Sequence, residues 1–284
     1  MPHRSSASHL PSGALAYLLG LAIGQPAIAQ DASVYVGALN AHYVATERAP
    51  GSSWVLNQDS GQLRGFAVEA TTKFDALDAG LRLERLRGDL DYDGFTQWYV
   101  PLQTTTELQV TRWRLKFGYD MPLAAETFRV RIGLAIGQQE IYRDIQAAPL
   151  TGPLTETMTS RGIGAELGLR WAPVAAQGAW TICADVGTER PWRQALDVDT
   201  HGAYDRFTLK PAAKDWRSAG LGIRIQPGAR WQIELGRTWQ RFQFGTAPAT
   251  LVTRNGQLAA IGSYPGSDQS IDAWSLAIRY VLGP

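Results

Sequence analysis

The sequence predicts an all-β chain that closes into a ten-stranded antiparallel transmembrane β-barrel of the outer-membrane type, with long extracellular loops and short periplasmic turns. Three observations predict this fold. Apolar residues alternate with polar or small ones at a period of two, and the pattern recurs about ten times. After residue 30 no segment approaches the roughly 20 consecutive apolar residues that a membrane-spanning helix needs. Aromatic residues stand at the ends of the alternating segments, as in the interfacial girdles of membrane barrels.

The composition excludes several other classes of protein. The chain has 284 residues, with 27 Lys and Arg against 26 Asp and Glu, ten Trp, ten Tyr and one cysteine. The aromatic content excludes a disordered chain, and a single cysteine excludes a disulfide scaffold. Because the charge is nearly balanced, we expect no nucleic-acid partner.

The first 29 residues have the features of a cleaved export signal. Arg4 supplies a basic start, residues 14–24 form a short apolar run, and the small residues Ala27 and Ala29 mark the expected cleavage site. We therefore expect a signal peptide at 1–29 and a single β-barrel domain at 30–284.

The remaining chain divides into ten alternating segments. In the fifth, Phe128, Val130 and Ile132 alternate with Arg129 and Arg131. An even number of strands places both termini in the periplasm, and ten strands leave so little free space that side chains should fill much of the lumen. The predicted strands span residues 32–46, 63–74, 79–90, 105–119, 127–143, 158–171, 180–189, 216–225, 231–244 and 271–282.

Alternation alone also suits a soluble β-sandwich, so other features must decide between the two folds. The polar face mixes Arg, Glu and Gly, which is typical of a barrel lumen, and the connections are alternately short and long. We therefore expect the protein in the outer membrane of a Gram-negative bacterium. The aromatic residues expected near one rim are Tyr119, Trp171, Trp180, Trp231 and Tyr280.

Two acidic segments follow predicted strands at the extracellular side. Asp197, Asp199 and His201 are two residues apart, so they share one face of an extended chain and face the barrel mouth if the strand continues without a bulge. Asp91 and Asp93 follow the third strand, and they face the mouth only if that strand slips by one residue near 84–86.

These residue types suit hydrolysis without a covalent intermediate. An imidazole beside a carboxylate takes a proton from water near pH 7, and a facing pair of carboxylates can hold that water. The competing interpretation is that the aspartates are solvated, or bind divalent cations at the surface. One cysteine and two distant histidines make a zinc site a poor expectation.

Both segments resemble motifs of the omptins, the ten-stranded outer-membrane endopeptidases of Gram-negative bacteria. Residues 46–48, Thr-Glu-Arg, resemble the family's Lys-Glu-Arg, and residues 61–63, Gly-Gln-Leu, resemble its Ser-Gln-Leu. Residues 91–93 resemble its Asp-x-Asp segment, and residues 197–201 keep the spacing of its Asp-x-Asp-x-His. Similarity is weak elsewhere but runs over nearly the whole mature chain.

The resemblance implies an aspartic-type endopeptidase that cuts basic peptides and proteins next to basic residues. It implies that Asp199 and His201 activate the water, with Asp91 and Asp93 as the facing carboxylate pair. It also implies that Glu47 and Asp197 form the acidic pocket for the basic substrate residue.

Omptins also need lipopolysaccharide, which basic residues on the outer wall hold. By resemblance, Glu140, Arg143 and Lys214 are the candidate lipopolysaccharide residues, and lipopolysaccharide is the expected activator; we expect no other cofactor and no metal. The chain departs from the family at Gly94, where omptins have Trp, which leaves the substrate preference after the cut open. We expect a monomer.

Two rival functions remain from the residues alone. One is a non-enzymatic barrel, an adhesin or a narrow channel, in which the aspartates are surface residues without a catalytic role. The other is a lipid-acting barrel hydrolase, which would need a serine paired with histidine on the outer wall, and His201 has no serine at strand spacing.

Overall fold

The computed structural model describes residues 31–49, 51–95, 100–123, 127–148, 151–173 and 179–282. The predicted signal peptide at 1–29 lies outside the described residues, so it and the division into one domain stay predictions. No helix of the described segments is long and apolar enough to cross a membrane. These segments form β1 (Asp31–Arg48), β2 (Val55–Phe74), β3 (Leu77–Phe95), β4 (Pro101–Pro122), β5 (Phe128–Ile145), β6 (Leu154–Trp171), β7 (Trp180–Asp199), β8 (Phe207–Leu209), β9 (Trp216–Ile225), β10 (Trp231–Phe244), β11 (Ala247–Arg254), β12 (Gln257–Tyr264) and β13 (Ser267–Val281).

Ten of these strands close into an antiparallel barrel. They pair in the order β1, β2, β3, β4, β5, β6, β7, β9, β10, β13, and β13 pairs back with β1. Each overlaps one predicted segment, so the predicted fold class is confirmed. The strands are longer than predicted: β2 begins at Val55 rather than at 63, and β7 continues to Asp199 rather than ending at 189.

The half of the barrel next to the short connections has an apolar outer surface. Its outward side chains are aliphatic or aromatic and largely exposed, as is Leu134 at 58%. At the rim the rings of Trp171 and Trp180 lie 5.6 Å apart, and those of Trp231 and Tyr280 lie 4.6 Å apart. The predicted aromatic rim is therefore confirmed for these four residues, and the surface suits lipid contact.

We call this part of the barrel the short-turn half; it includes residues 77–83 of β3 and 128–136 of β5. Its lumen holds a cavity of about 570 Å³ lined by basic and acidic side chains. Many of these side chains form ion pairs across the lumen; Arg131, for example, donates two hydrogen bonds to Asp78. Pairing of this kind compensates the loss of water around charges inside a barrel.

The rest of each strand forms the long-loop half, which includes residues 86–95 of β3 and 138–145 of β5. Here the arrangement is reversed, because apolar side chains fill the lumen and polar side chains cover the outside. This packing closes the lumen, as the small strand number predicts. The largest fully buried apolar side chains are Tyr43, Leu63, Leu90, Leu108, Ile141, Met158 and Leu196.

A hairpin made of β11 and β12 connects β10 to β13 at the long-loop end of the barrel. Asn255 and Gly256 form its turn with φ values of 52° and 76°, which suits the Asn-Gly sequence of a tight hairpin. The Asp205 carboxylate accepts hydrogen bonds from both main-chain nitrogens and so ties the turn to the segment after β7. At the base of the hairpin, Ala247 and Tyr264 are buried in the core of the long-loop half.

Candidate functional site

β7 contains one extra residue, and this residue reverses the side-chain direction of everything beyond it. Opposite β6, Arg161 pairs with Arg193 while Gly162 pairs with Pro191, so Trp192 is left over as a β-bulge. Trp192 is 55% exposed and points away from the core. The inward direction predicted for Asp197, Asp199 and His201 required a strand without a bulge, and β7 does not meet that condition.

The bulge moves the second acidic segment to the outside of the barrel. Before it, the odd-numbered Cys183 lines the lumen cavity. After it, the even-numbered Leu196 and Val198 are buried in the core, at 1% and 6% exposed. Because side chains alternate along a strand, Asp197 and Asp199 point to the outer surface. The prediction that they face the barrel mouth is therefore wrong.

The first acidic segment also lies outside, for a different reason. β3 pairs with β4 in one register along its whole length, so the slip postulated near 84–86 does not occur. Leu90 and Tyr92 are buried in the lumen, at 1% and 7% exposed, and the alternate residues Asp91 and Asp93 are exposed. The predicted inward direction of this carboxylate pair is wrong.

The four predicted catalytic side chains are consequently not brought together. Asp91 and Asp93 belong to β3 and Asp199 belongs to β7, with β4, β5 and β6 between these strands. Four strand spacings correspond to about 19 Å along the wall. A single water molecule cannot bridge these groups, so the structure does not form the predicted catalytic arrangement.

His201 lies in an exposed turn just after β7, with a left-handed φ of 51°. Its main-chain nitrogen donates to Asp199 at 2.9 Å, and Asp199 also accepts two hydrogen bonds from Arg206. Burial raises the pKa of Asp199, but the bonds from Arg206 and from the His201 main chain outweigh it and lower that pKa. The imidazole Nε2 instead lies 2.8 Å from Thr155 Oγ1. The Asp199 carboxylate thus orients the turn and Arg206, and the described hydrogen bonds of the imidazole go to Thr155.

The two predicted pocket residues are on opposite sides of the barrel wall. Asp197 is exposed on the outer surface and accepts a hydrogen bond from Thr208. Glu47 is buried in the lumen, 7% exposed, and accepts a hydrogen bond from Asn57 at 2.7 Å. They cannot form one pocket, so this prediction is also wrong.

Glu47 belongs to a buried ion cluster that the sequence analysis missed. The guanidinium of Arg143 contacts Glu47 at 3.2 Å and Glu156 at 2.6 Å, and it also donates to Asp59. We call these four residues the Arg143 cluster; none is more than 9% exposed. Arg143 therefore faces the lumen and cannot hold lipid on the outer wall, which corrects its predicted role.

Two members of the cluster were missed because predicted strands were too short. Asp59 lies before the predicted start of the second strand at 63, and Glu156 lies before the predicted start of the sixth at 158. The signal was present: Asp59 shares the odd numbering of buried Leu63, and Glu156 shares the even numbering of buried Met158. Extending both strands would have placed both carboxylates in the lumen.

The charge of the Arg143 cluster is unbalanced. Three carboxylates surround one guanidinium, so the fully ionised cluster carries two net negative charges in a closed core. Burial raises the pKa of Glu156 to about 7; Arg143 opposes this change, while Glu47 and Asp59 add to it. Near neutral pH the Glu156 carboxylate is therefore protonated in a large fraction of the molecules. Protonation removes one negative charge from the cluster, which lowers the free-energy cost of burying it.

The predicted lipopolysaccharide residues do not converge. Glu140 lies on the outer wall of β5, and Lys214 is exposed just before β9. β6 and β7 lie between those strands, and Arg143 faces the lumen. A need for lipopolysaccharide stays a prediction, but these three residues do not form one site for it.

Seven outward carboxylates lie toward the loop ends of four strands of the long-loop half, and we call this group the acidic wall; Glu140 also points outward on β5 but lies nearer the apolar band. They lie on β3, β4, β5 and β7, and some are directly opposite one another; Glu107 is paired in register with both Asp89 and Asp144. Like charges facing across strands repel, so the wall favours a cationic partner. Within the described chain no His, Cys, Asp and Glu side chains are grouped to hold a metal ion. The acidic wall comprises Asp89, Asp91, Asp93, Glu107, Asp144, Asp197 and Asp199.

The fold and the surfaces together define an outer-membrane-type β-barrel with a closed long-loop half. Among solved structures the chain is similar to the outer membrane protease OmpT from Escherichia coli, with a TM-score of 0.58, 8% identity, and 91% of this chain and 98% of that chain covered. It also matches the translocator domain of autotransporter NalP from Neisseria meningitidis (TM-score 0.44, 9% identity, 94% of each chain covered). A further match is the outer membrane protein OprG from Pseudomonas aeruginosa (TM-score 0.42, 7% identity, 90% of this chain and 98% of that chain covered). No family model and no curated protein matches the chain. At these identities the likeness to OmpT shows the fold and leaves the activity open.

Proposed function

We propose that this protein is an outer-membrane barrel of a Gram-negative bacterium that binds cationic peptide or protein segments on its external surface without cleaving them. The observation that carries the proposal is the acidic wall, in which seven carboxylates of the long-loop half point outward. The long-loop half stands beyond the apolar band, so this wall would face the external medium.

The closed lumen supports a surface function over a channel. Met158, Leu108 and Leu196 come from different strands and are each at most 1% exposed within the lumen of the long-loop half. A solute that entered the cavity of the short-turn half would meet this packed layer. The narrow-channel alternative therefore has less support than an adhesin-like role.

The endopeptidase hypothesis remains the competing function, since OmpT shares the fold. That hypothesis needs an imidazole and a facing carboxylate pair around one water molecule. Here the carboxylate of Asp199 is bound by Arg206, and Asp91 lies on the outer wall with three strands between it and Asp199. A basic peptide is thus a partner in both hypotheses, and only its fate differs between them.

The test uses the refolded barrel and a fluorescent oligo-arginine peptide. In the variant Asp91→Asn, Asp93→Asn, Glu107→Gln, three charges leave the acidic wall. Exposed charge contacts contribute about 0.2–1 kcal/mol each, so we expect roughly tenfold weaker binding at low salt. The matched control is Asp268→Asn with Asp272→Asn, because these carboxylates also face outward but each is paired with an arginine.

Mass spectrometry of the same mixtures separates the two hypotheses. Intact peptide, with binding that weakens in the triple variant and with added salt, supports the proposal. Equal affinity in the triple variant and the wild type would refute the acidic wall as the binding surface. Cleaved peptide would overturn the non-enzymatic function and favour the endopeptidase.

A further inference from the structure

The cavity of the short-turn half has the size and position of a small-molecule site. Toward the long-loop half it ends at the packed layer that contains Leu108 and Leu196, each at most 1% exposed. In the other direction its lining includes Gln226 and Ala229, from the connection between β9 and β10, and Val281 at the end of β13. Its volume of about 570 Å³ lies within the roughly 300–1,000 Å³ of ligand pockets. The cavity therefore reaches the short-turn end of the barrel and is blind at its inner end.

Basic side chains outnumber acidic ones around this cavity. Nine Lys and Arg side chains and six Asp and Glu side chains line it. Two further carboxylates, Asp120 and Glu189, pair with cations of the lining, and the cations still remain in excess. Such an excess favours an anionic occupant. The basic residues are Lys73, Arg82, Arg112, Arg114, Lys116, Arg131, Arg170, Arg224 and Arg279, and the acidic residues are Glu69, Asp78, Glu84, Glu166, Asp185 and Glu234.

Several of these cations share one carboxylate. Glu166 accepts a hydrogen bond from Arg114 at 3.2 Å. The ammonium of Lys116 and the guanidinium of Arg131 each lie 3.5 Å from the same carboxylate. A guanidinium has five N–H donors and an ammonium has three, whereas a carboxylate has only two oxygens. Donors around Glu166 are therefore left for water or for the oxygens of a bound anion.

A second shared carboxylate lies nearer the short turns. Asp120 pairs with Lys73 at 3.2 Å and with Arg170 at 3.0 Å. The side chains of these two cations are 37% and 28% exposed, so both contact the solvent. Arg170 also lies within electrostatic range of Arg131 and Arg224, which belong to other strands. Because like charges repel, an anion that enters between these groups lowers their electrostatic energy.

We propose that the lumen cavity binds a small soluble molecule with two or more phosphate groups, which enters from the short-turn end. In the orientation of the proposed function this end faces the periplasm. Phosphate suits the lining because its oxygens accept hydrogen bonds from donors that arrive from several directions, and Arg and Lys are common phosphate partners. The cavity is separate from the acidic wall, so this site does not depend on the binding of cationic segments.

Cys183 provides a native probe of the cavity. It is the only cysteine of the chain, it lines the cavity, and it lies opposite Arg170 in the register of β6 and β7. The refolded barrel is labelled in detergent micelles, where both of its ends meet the solution, with the uncharged reagent methyl methanethiosulfonate. Inorganic tripolyphosphate at roughly ten times its Kd should slow the labelling about tenfold relative to sodium chloride of equal ionic strength, because the bound anion covers the thiol.

A variant with Lys73→Gln and Lys116→Gln tests the cations of the site. It removes two positive charges, and the carboxylates that they contact keep an arginine partner, Arg170 or Arg114. Loss of two charge contacts should raise the protecting concentration of tripolyphosphate roughly tenfold. Lys116→Gln alone serves as the test if the double variant does not fold. Each variant is compared with itself, with and without tripolyphosphate, so a change in the reactivity of the thiol itself cancels.

Two controls separate a site from general charge effects. Arg87→Gln, on the outer wall, removes a positive charge far from the cavity and should leave the protecting concentration unchanged. Asp185→Asn removes a negative charge from the cavity lining and should lower it. Labelling that is equally fast in tripolyphosphate and in sodium chloride would overturn the site. Undiminished protection in a folded lysine variant, or weaker protection in Asp185→Asn, would do the same.

Discussion

Replacing Arg143 by Met tests the most buried ionic feature of the molecule. Its guanidinium is 3% exposed and contacts three carboxylates from three other strands, Glu47, Asp59 and Glu156. Methionine has a similar length and no charge, so the substitution removes the cation while it largely keeps the volume. What remains is three carboxylates in a closed core with no positive partner.

The expected loss is large and depends on pH. Removing one partner of a buried ion pair costs about 3–5 kcal/mol, because the remaining charge is uncompensated. In the variant the carboxylates lose the group that favours their ionised form, so their pKa values rise and they take up protons. The loss in free energy of unfolding should therefore be greatest near pH 8 and smaller near pH 5.

Urea-induced unfolding in lipid vesicles, followed by tryptophan fluorescence at both pH values, measures this loss. Arg87→Met is the matched control, since Arg87 is exposed on the outer wall of β3 and should cost less than about 1 kcal/mol. Adding Asp59→Asn and Glu156→Gln to Arg143→Met should recover much of the stability, because fewer charges remain unpaired. A loss below 1 kcal/mol at pH 8, or a loss equal at both pH values, would refute the reasoning.

Three further predictions concern other parts of the barrel. The raised pKa of Glu156 means that the folded state binds its proton more tightly than the unfolded chain, so the contribution of this group to stability is complete below pH 4.5 and is lost as the pH rises to about 7. This contribution is about 3 kcal/mol. Comparing urea unfolding of the wild type and Glu156→Gln across that pH range measures it, and the variant should lack it. Gly256→Ala should destabilise the hairpin turn by about 1 kcal/mol, seen as faster hydrogen exchange there, because alanine is strained at a φ of 76°; equal exchange would contradict this. Trp231→Ala should lower stability by about 1–2 kcal/mol through loss of its contact with Tyr280 and with lipid, whereas no change would mean that this rim contributes little.

The fold could be predicted because the short-turn half follows one rule throughout. Outward residues there contact lipid and are apolar, while inward residues line the lumen cavity and are often charged or small. On β3, Leu81 and Leu83 alternate with Arg82 and Glu84, which face the cavity. This contrast recurs along the chain, so the strand count follows from hydrophobic periodicity, and the aromatic rim follows from the Trp and Tyr residues at the strand ends.

The same rule fails in the long-loop half because the surroundings of the strand change. Beyond the apolar band the outside of the barrel meets water and the inside is a packed core, so the polar and apolar faces exchange. On β3 the apolar residues therefore change from odd numbers, such as Leu83, to even numbers, such as Leu90, without any irregularity in the strand. In the sequence this exchange looks the same as a one-residue slip, and the postulated slip placed Asp91 and Asp93 on the wrong side.

On β7 the two causes act together, and the sequence contained a means of separating them. A bulge at Trp192 reverses the numbering, and the exchange of environments reverses the polarity, so the acidic residues have odd numbers both before the bulge, at Asp185, and after it, at Asp197 and Asp199. The shared odd numbering therefore concealed both events. Leu196 and Val198 show which face of this segment is inward. Because side chains alternate along a strand, an inward Asp197 would point both of these apolar side chains outward, into water beyond the membrane. Burial of such a pair is the more stable arrangement by roughly 3 kcal/mol or more. Apolar residues in the long-loop half thus fix which face is inward, and an acidic motif with the spacing of a protease gains a catalytic meaning only after that face is known.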